Sequence, residues 1–299
     1  MSTGRLLPWT ALGSAALGIS RGVQVRLPAS YDLEPRRRYP VLYLHDGQNV
    51  FSAAGEHACF GWGSWELDRT ADQLAAAGRM REILMVAVDN SGARYREYRG
   101  RLRPAGASTA RRPAAKAAGP DNARFDAYAT FLIRELKPWV DREFRTLKTP
   151  AHTGVMGSSL GGLCSLALAW DHPRVFGRAA CLSGSFQVER RHFLLRVLRA
   201  ARGPRKALRL YLDSGVMDDA GDDDGRRDTA AVADELRRLG WKDGRTLLHF
   251  TDPRPFTDAE MESAGLRWEK WEEARRSQHN EFYWRLRAWR ALEFLFPPG

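Results

Sequence analysis

The chain has 299 residues, 43% of them hydrophobic and 28% charged, so it can bury a large core. Its net charge of +11 is uneven, with nine basic and two acidic residues in 94–124 and eight and one in 189–209; both patches can attract anions, yet no nucleic-acid-binding module accompanies them and the second is read as solvated surface. No apolar run reaches the roughly 18 residues that cross a bilayer, and 12–19 is too short and glycine-broken for a signal sequence, which predicts a soluble, cytoplasmic protein.

In chain order, the apolar patterns predict strands over 22–28, 39–45, 82–89, 151–156, 178–182, 208–213 and 246–250. Between and after them, helices are expected over 65–77, 123–144, 160–170, 192–201, 228–239 and 280–296. Such alternation is the pattern of an α/β fold, a mainly parallel sheet with helices on both faces, here taken as one domain over 1–299. Two stretches read as insertions. Residues 99–122, rich in Arg, Ala, Pro and Gly, are expected to form a basic surface loop; 252–277, with Trp268 and Trp271 among alternating charges, suggests a short helical flap beside a pocket. Cys59, Cys164 and Cys181 are an odd, sparse set and imply no disulfide framework.

The run Gly157-Ser158-Ser159-Leu160-Gly161 stands between a predicted strand and a predicted helix. Strand, Gly-x-Ser-x-Gly turn and helix make a nucleophile elbow, which exposes the central hydroxyl at the carboxyl end of a sheet. Ser159 is therefore the candidate nucleophile. A serine hydroxyl attacks a carbonyl only when a base takes its proton, and a carboxylate must hold that base in the right tautomer.

On this kind of scaffold the acid follows the serine and the histidine comes last. Of seven histidines, His45 and His57 precede the serine, His152 begins its strand, His172 ends a helix, His192 starts one and His249 lies within a strand. Only His279 occupies a loop between the last strand and the terminal helix, so it is the expected base. For the acid, Asp218 just beyond the 208–213 strand is the first choice, with Asp213 inside the strand and Asp219 one position later as alternatives. The acidic run Asp222-Asp223-Asp224-Gly225 does not fit a calcium loop, because Ala220 and Ala231 fall at ligand positions; those carboxylates are expected to face solvent.

Two backbone N–H groups must meet the developing oxyanion. Leu160, after the nucleophile, is one; Gln48, in the turn that ends the run Val41-Leu42-Tyr43-Leu44-His45-Asp46-Gly47, is the other. Trp62, Trp65 and Trp268, with Phe51 and Phe60, are candidates for a pocket that favours an aromatic group.

The segments Arg38 to Phe51, Val88-Asp89-Asn90 with Arg94-Tyr95-Arg96-Glu97-Tyr98, the elbow, and His279-Asn280-Glu281 together resemble the esterase family of α/β-hydrolases. That group includes esterase D-like, enterochelin esterase-like and feruloyl or acetylxylan esterase proteins. The resemblance implies an α/β-hydrolase fold and a Ser, Asp, His triad without cofactor or metal, matching Ser159, Asp218 and His279. The expected partner is a small-molecule ester, with no nucleic acid and no membrane. The alternatives within the fold are a catecholate siderophore ester, drawn by the basic 94–124 region, and acyl transfer; outside it stands a noncatalytic basic binding module.

Overall fold

In the computed structural model, which describes residues 3–102, 122–202, 206–218 and 221–299, nine strands form one mixed sheet. They are β1 (Arg5–Leu6), β2 (Thr10–Ser14), β3 (Ile19–Leu27), β4 (Val41–Leu44), β5 (Leu84–Val88), β6 (Thr153–Ser158), β7 (Arg178–Leu182), β8 (Arg209–Ser214) and β9 (Leu247–Thr251). Their order is β1-β3-β5-β4-β6-β7-β8-β9, with β2 also paired to β3. From β5 to β9 all neighbours are parallel, while β3 runs antiparallel to β5, and β1 and β2 antiparallel to β3. The architecture is an α/β-hydrolase fold. The outer strands β1 and β2, which the apolar pattern did not predict, are short and largely exposed and carry little hydrophobic signal.

The central strands are covered on both faces, which is why Val-Leu-Tyr-Leu in β4 and Leu-Met-Val-Ala-Val in β5 are apolar at every position. Alternation along β4 sends Val41 and Tyr43 into one core and Leu42 and Leu44 into the other. The first core takes apolar side chains of Ala123–Thr130, Leu160–Asp171 and Arg226–Arg238; the second takes those of Leu67–Ala76 and Glu281–Leu295. A third, small cluster of Met261, Leu266, Ala274, Phe282 and Tyr283 lies under the insertion 252–277. That insertion is helical, with Asp258–Ser263 opened by a Thr257–Glu260 capping box and Trp271–Arg276 following.

Chain order explains where a site can form. From β4 the chain goes to β5 on one side and then to β6 on the other, so β4 and β6 are neighbours whose outgoing connections diverge. A crevice opens beyond the carboxyl ends of strands at such a switch point. Most of the expected basic loop lies outside the described residues. Its ends meet where Asn122 Oδ1 accepts from Leu102 N at 2.7 Å and Asn122 Nδ2 donates to Leu102 O at 2.9 Å. No helix among the described residues is long and apolar enough to cross a membrane.

Candidate active site

At the end of β6 the chain turns straight into the helix Leu160–Asp171, and Ser159 occupies the turn with φ 54° and ψ −123°. A non-glycine residue there stores roughly 1–3 kcal/mol of strain, which surrounding bonds must hold. Ser159 N donates to Leu182 O at 2.9 Å, and Ser159 O accepts from Ser185 N at 3.1 Å. The strand and helix approach so closely that a Cβ on Gly157 would lie 2.7 Å from the Gly161 carbonyl carbon. Glycine is the residue that fits.

Ser159 Oγ lies 2.9 Å from His279 Nε2 and 3.0 Å from Ser185 Oγ. His279 occupies the connection into the terminal helix Glu281–Leu295, just after Ser277 and Gln278, which are buried. Its other nitrogen, Nδ1, is 2.6 Å from Asp224 Oδ1. The Trp284 ring stands edge-on to the imidazole at 5.1 Å. Serine, imidazole and carboxylate thus form one continuous hydrogen-bonded line.

The carboxylate in that line is a correction to the sequence expectation. Asp218 does not meet His279: its backbone N donates to Asp222 O at 3.0 Å and its Oδ1 accepts from Asp222 N at 2.9 Å, so it closes a turn. Asp224, expected to face solvent, instead occupies a fully buried position. Asp213 is buried at the end of β8, where its carboxylate accepts from Tyr211 Oη at 2.9 Å and Ser183 N at 3.2 Å. The third alternative, Asp219, lies outside the described residues. A signal for Asp224 exists in the Asp224-Gly225 pair: both residues adopt positive φ immediately before the amphipathic helix Arg226–Arg238.

Burial pushes the Asp224 carboxyl up, but the hydrogen bond and charge of His279, with Arg287 and Ser183, outweigh it and hold the carboxyl below its ordinary value. Ser183 Oγ donates to Asp224 Oδ2 at 2.7 Å, and Gly215 N donates to the same oxygen. This aspartate stays ionised and acceptor-only at neutral pH. Asp213 goes the other way: burial raises it to about 6 against the opposing pull of Arg287 and Tyr211.

The loop after β4 forms the opposite wall. Asp46 adopts a left-handed conformation (φ 54°, ψ 44°) and leads into the 3-10 turn Gly47–Asn49. A Cβ on Gly47 would come 2.5 Å from Val88 N, so only glycine lets this loop pack against β5. Arg94 donates to both carboxylate oxygens of Asp46, at 2.7 and 2.8 Å, and Asn90 Nδ2 adds a third bond at 2.6 Å. Gln48 is exposed toward the cleft, and Leu160 is the first residue of its helix, whose leading N–H groups have no partner within the helix.

The cleft over Ser159 and His279 measures about 660 Å³. Trp62 and Trp65 line it, together with Phe60 and Trp284. Trp65 is otherwise buried and packs on Trp284 at 5.8 Å, whereas Phe60 is 97% exposed at the mouth. Trp268 is the second correction. It is 74% exposed and does not line the cleft, because the 252–277 insertion reaches the rim through other residues: Lys270 Nζ sits 4.8 Å from the Trp62 ring, and Arg267 Nη1 is 2.9 Å from His57 Nδ1. Glu281 faces Cys59 within the cleft, and burial raises both. Among the described residues no group of three His, Cys, Asp or Glu side chains is arranged to hold a metal ion.

A family model described as "Putative esterase" matches residues 14–285. Esterase Rv1288 of Mycobacterium tuberculosis is 29% identical over 181 residues, 59% of this chain and 32% of that protein. A protein of Bacillus subtilis, YjcH, is 24% identical over 153 residues, 51% of each. The chain thus spans about half the length, or less, of these curated relatives. Among solved structures, a ferulic acid esterase superposes with a TM-score of 0.67 at 17% identity, covering 99% of both chains. The enterobactin esterase FES of Shigella flexneri gives 0.63 at 17% identity, over 98% of this chain and 59% of that one. At such identities the structural likeness speaks for the fold.

Proposed function

Because this chain belongs to the esterase family, we propose that it is a serine carboxylic-ester hydrolase working through an acyl-enzyme on Ser159. One observation carries the proposal: the line from Ser159 Oγ through His279, at 2.9 Å, to Asp224, at 2.6 Å. Ser159 Oγ attacks the ester carbonyl carbon as its proton passes to His279 Nε2, and the charge gained by the imidazole is balanced by Asp224. The tetrahedral oxyanion is met by the N–H groups of Leu160 and Gln48. His279 then gives the proton to the departing alkoxide, leaving an acyl-serine and free alcohol. Water, deprotonated by the same nitrogen, attacks the acyl carbon, and the carboxylic acid is released as Ser159 regains its proton.

For specificity, the aromatic lining of Phe60, Trp62, Trp65 and Trp284 favours aromatic or short acyl groups in a cleft of about 660 Å³. The fold likeness to a ferulic acid esterase is in keeping with an aromatic acyl group. A catecholate siderophore ester draws less support from the cleft. Arg94 already has both oxygens of Asp46, and Glu281 adds a further acidic group beside it.

The reading is tested by labelling with a fluorophosphonate probe and by hydrolysis of short p-nitrophenyl esters. Wild-type protein should form a covalent adduct on Ser159, and Ser159→Ala should lose both adduct and hydrolysis while its circular dichroism is unchanged. Undiminished turnover by the folded variant would remove Ser159 from the mechanism. Product analysis with an alcohol acceptor separates hydrolysis from acyl transfer.

A further inference from the structure

Behind Asp224 lies a charged cluster that the proton relay itself does not use. The terminal helix Glu281–Leu295 places Arg287 in the interior, 1% exposed. Its guanidinium reaches two carboxylates, with Nη2 3.5 Å from Asp213 Oδ1 and Nη1 3.7 Å from Asp224 Oδ2. Nη2 also donates to Ser183 Oγ at 2.7 Å, which is the hydroxyl that donates to Asp224 and accepts from Trp284 Nε1 at 3.0 Å. The same seryl residue gives its N–H to Asp213. A buried cation and two buried carboxylates thus share one serine, and the His279 imidazole is attached to the outer carboxylate.

The charge balance suggests the role. Two ionised aspartates and one arginine leave the cluster one unit negative while His279 is neutral. When His279 accepts the serine proton, the cluster becomes neutral overall. Without Arg287 it would begin two units negative, His279 would be protonated too readily, and Ser159 would lack a free base at moderate pH. Without Asp213 it would begin neutral and end positive. Burial lowers the Arg287 guanidinium, but Asp213, Asp224 and Asp252 together more than restore it, so its charge is permanent.

We propose that Arg287, held between Asp213 and Asp224, is a positioning residue that fixes Asp224 against His279 and sets the pH range over which His279 can serve as base. The inference rests on the esterase reading of Ser159, His279 and Asp224. The other groups whose charges reach this cluster are Tyr211 on β8, Asp252 after β9, Arg290 one turn along the terminal helix, and Glu281 on the cleft side of His279. None of them bridges both carboxylates.

The test is the pH profile of kcat/KM for p-nitrophenyl acetate, read at the midpoint of its acid limb, where activity is lost as the base is protonated. Removing a nearby positive charge favours protonation, so Arg287→Gln should move the midpoint upward by on the order of one pH unit. Arg287→Lys, which keeps the charge, should stay near wild type. Removing a negative charge acts oppositely: Asp213→Asn should move the midpoint downward. Its shift should be smaller, because Asp213, with its carboxyl at about 6, is ionised only over the upper part of the limb. The double variant should return toward wild type.

A purely structural role for Arg287 would lower the rate without opposite shifts in the two variants. An unmoved midpoint in folded Arg287→Gln, or an upward shift in Asp213→Asn, overturns the proposal. If Arg287→Gln does not fold, Asp213→Asn decides alone. Failure of wild-type protein to label at Ser159 would instead overturn the underlying esterase reading, so the two failures are distinct.

Discussion

In the proposed mechanism the His279 imidazole takes the Ser159 proton at Nε2, so the group facing its Nδ1 must be an acceptor throughout. Asp224 meets that demand, because His279, Arg287 and Ser183 together hold its carboxyl below the ordinary value despite burial. An amide at this position can present an N–H to Nδ1, which favours the tautomer with Nε2 protonated and unable to take the serine proton. Asp224→Asn should therefore lower kcat about 10³- to 10⁴-fold with little change in fold. Asp218→Asn changes a side chain that does not meet His279 and should keep kcat within about twofold of wild type, since changes away from the reacting groups are usually near neutral. Steady-state kinetics of the two variants side by side separates the candidates. The reverse ranking would return the acid to Asp218.

At the level of elements, the close crossing of β6 with the helix Leu160–Asp171 makes the serine turn possible. Gly157 and Gly161 touch backbone to backbone, and a Cβ on Gly157 would sit 2.7 Å from the Gly161 carbonyl carbon with no flexible side chain to yield. Gly157→Ala should destabilise the protein by about 2–4 kcal/mol in urea unfolding and abolish ester hydrolysis, because strand and helix must part and the strained serine moves with them. Wild-type stability in that variant would mean the crossing has slack.

The central strands and long helices were legible in the sequence because each is long enough to show its period. Leu160–Asp171 and Glu281–Leu295 fall within a residue or so of the predicted bounds. Short pieces escaped: β1 has two residues, β2 is mostly exposed, and Arg94–Tyr98 is a single turn. The site divides along the same line. Ser159 and His279 sit at ends of regular elements, where motif and chain order locate them. The carboxylate hangs on the segment between β8 and the helix Arg226–Arg238, which has no periodicity to place it. Distance along the chain from β8 was a poor guide to distance from His279. Arg287 did carry a signal, since helical spacing sets it on the stripe of Tyr283, Trp284 and Ala291 that the helix buries.

At the scale of the whole molecule, two buried titratable groups make the stability depend on pH in opposite directions. His45, at the end of β4, is enclosed with Nδ1 2.8 Å from Tyr128 Oη and no hydrogen-bond partner on Nε2. Burial lowers it to about 4, against an ordinary value of about 6.5. The folded protein therefore binds fewer protons here than the unfolded chain between those values. This contribution to stability is complete above pH 6.5 and is lost as pH falls through 4, by up to about 3 kcal/mol. Asp213 is the mirror case. Burial raises it from 3.8 to about 6, so its contribution is complete below pH 3.8 and is lost as pH rises through 6, again by up to about 3 kcal/mol. The two windows overlap almost entirely, and in the wild type they largely offset each other. Urea unfolding at pH 7, 5.5 and 4 should expose them separately. Relative to His45→Gln, the wild type should lose about 3 kcal/mol between pH 7 and 4; relative to Asp213→Asn, it should gain a similar amount. Stability differences that stay constant across that range would show that neither group is held away from its unfolded protonation. If only the His45 difference changes, Arg287 is holding Asp213 at its ordinary value, and the acid limb of Asp213→Asn should then shift nearly as far as that of Arg287→Gln.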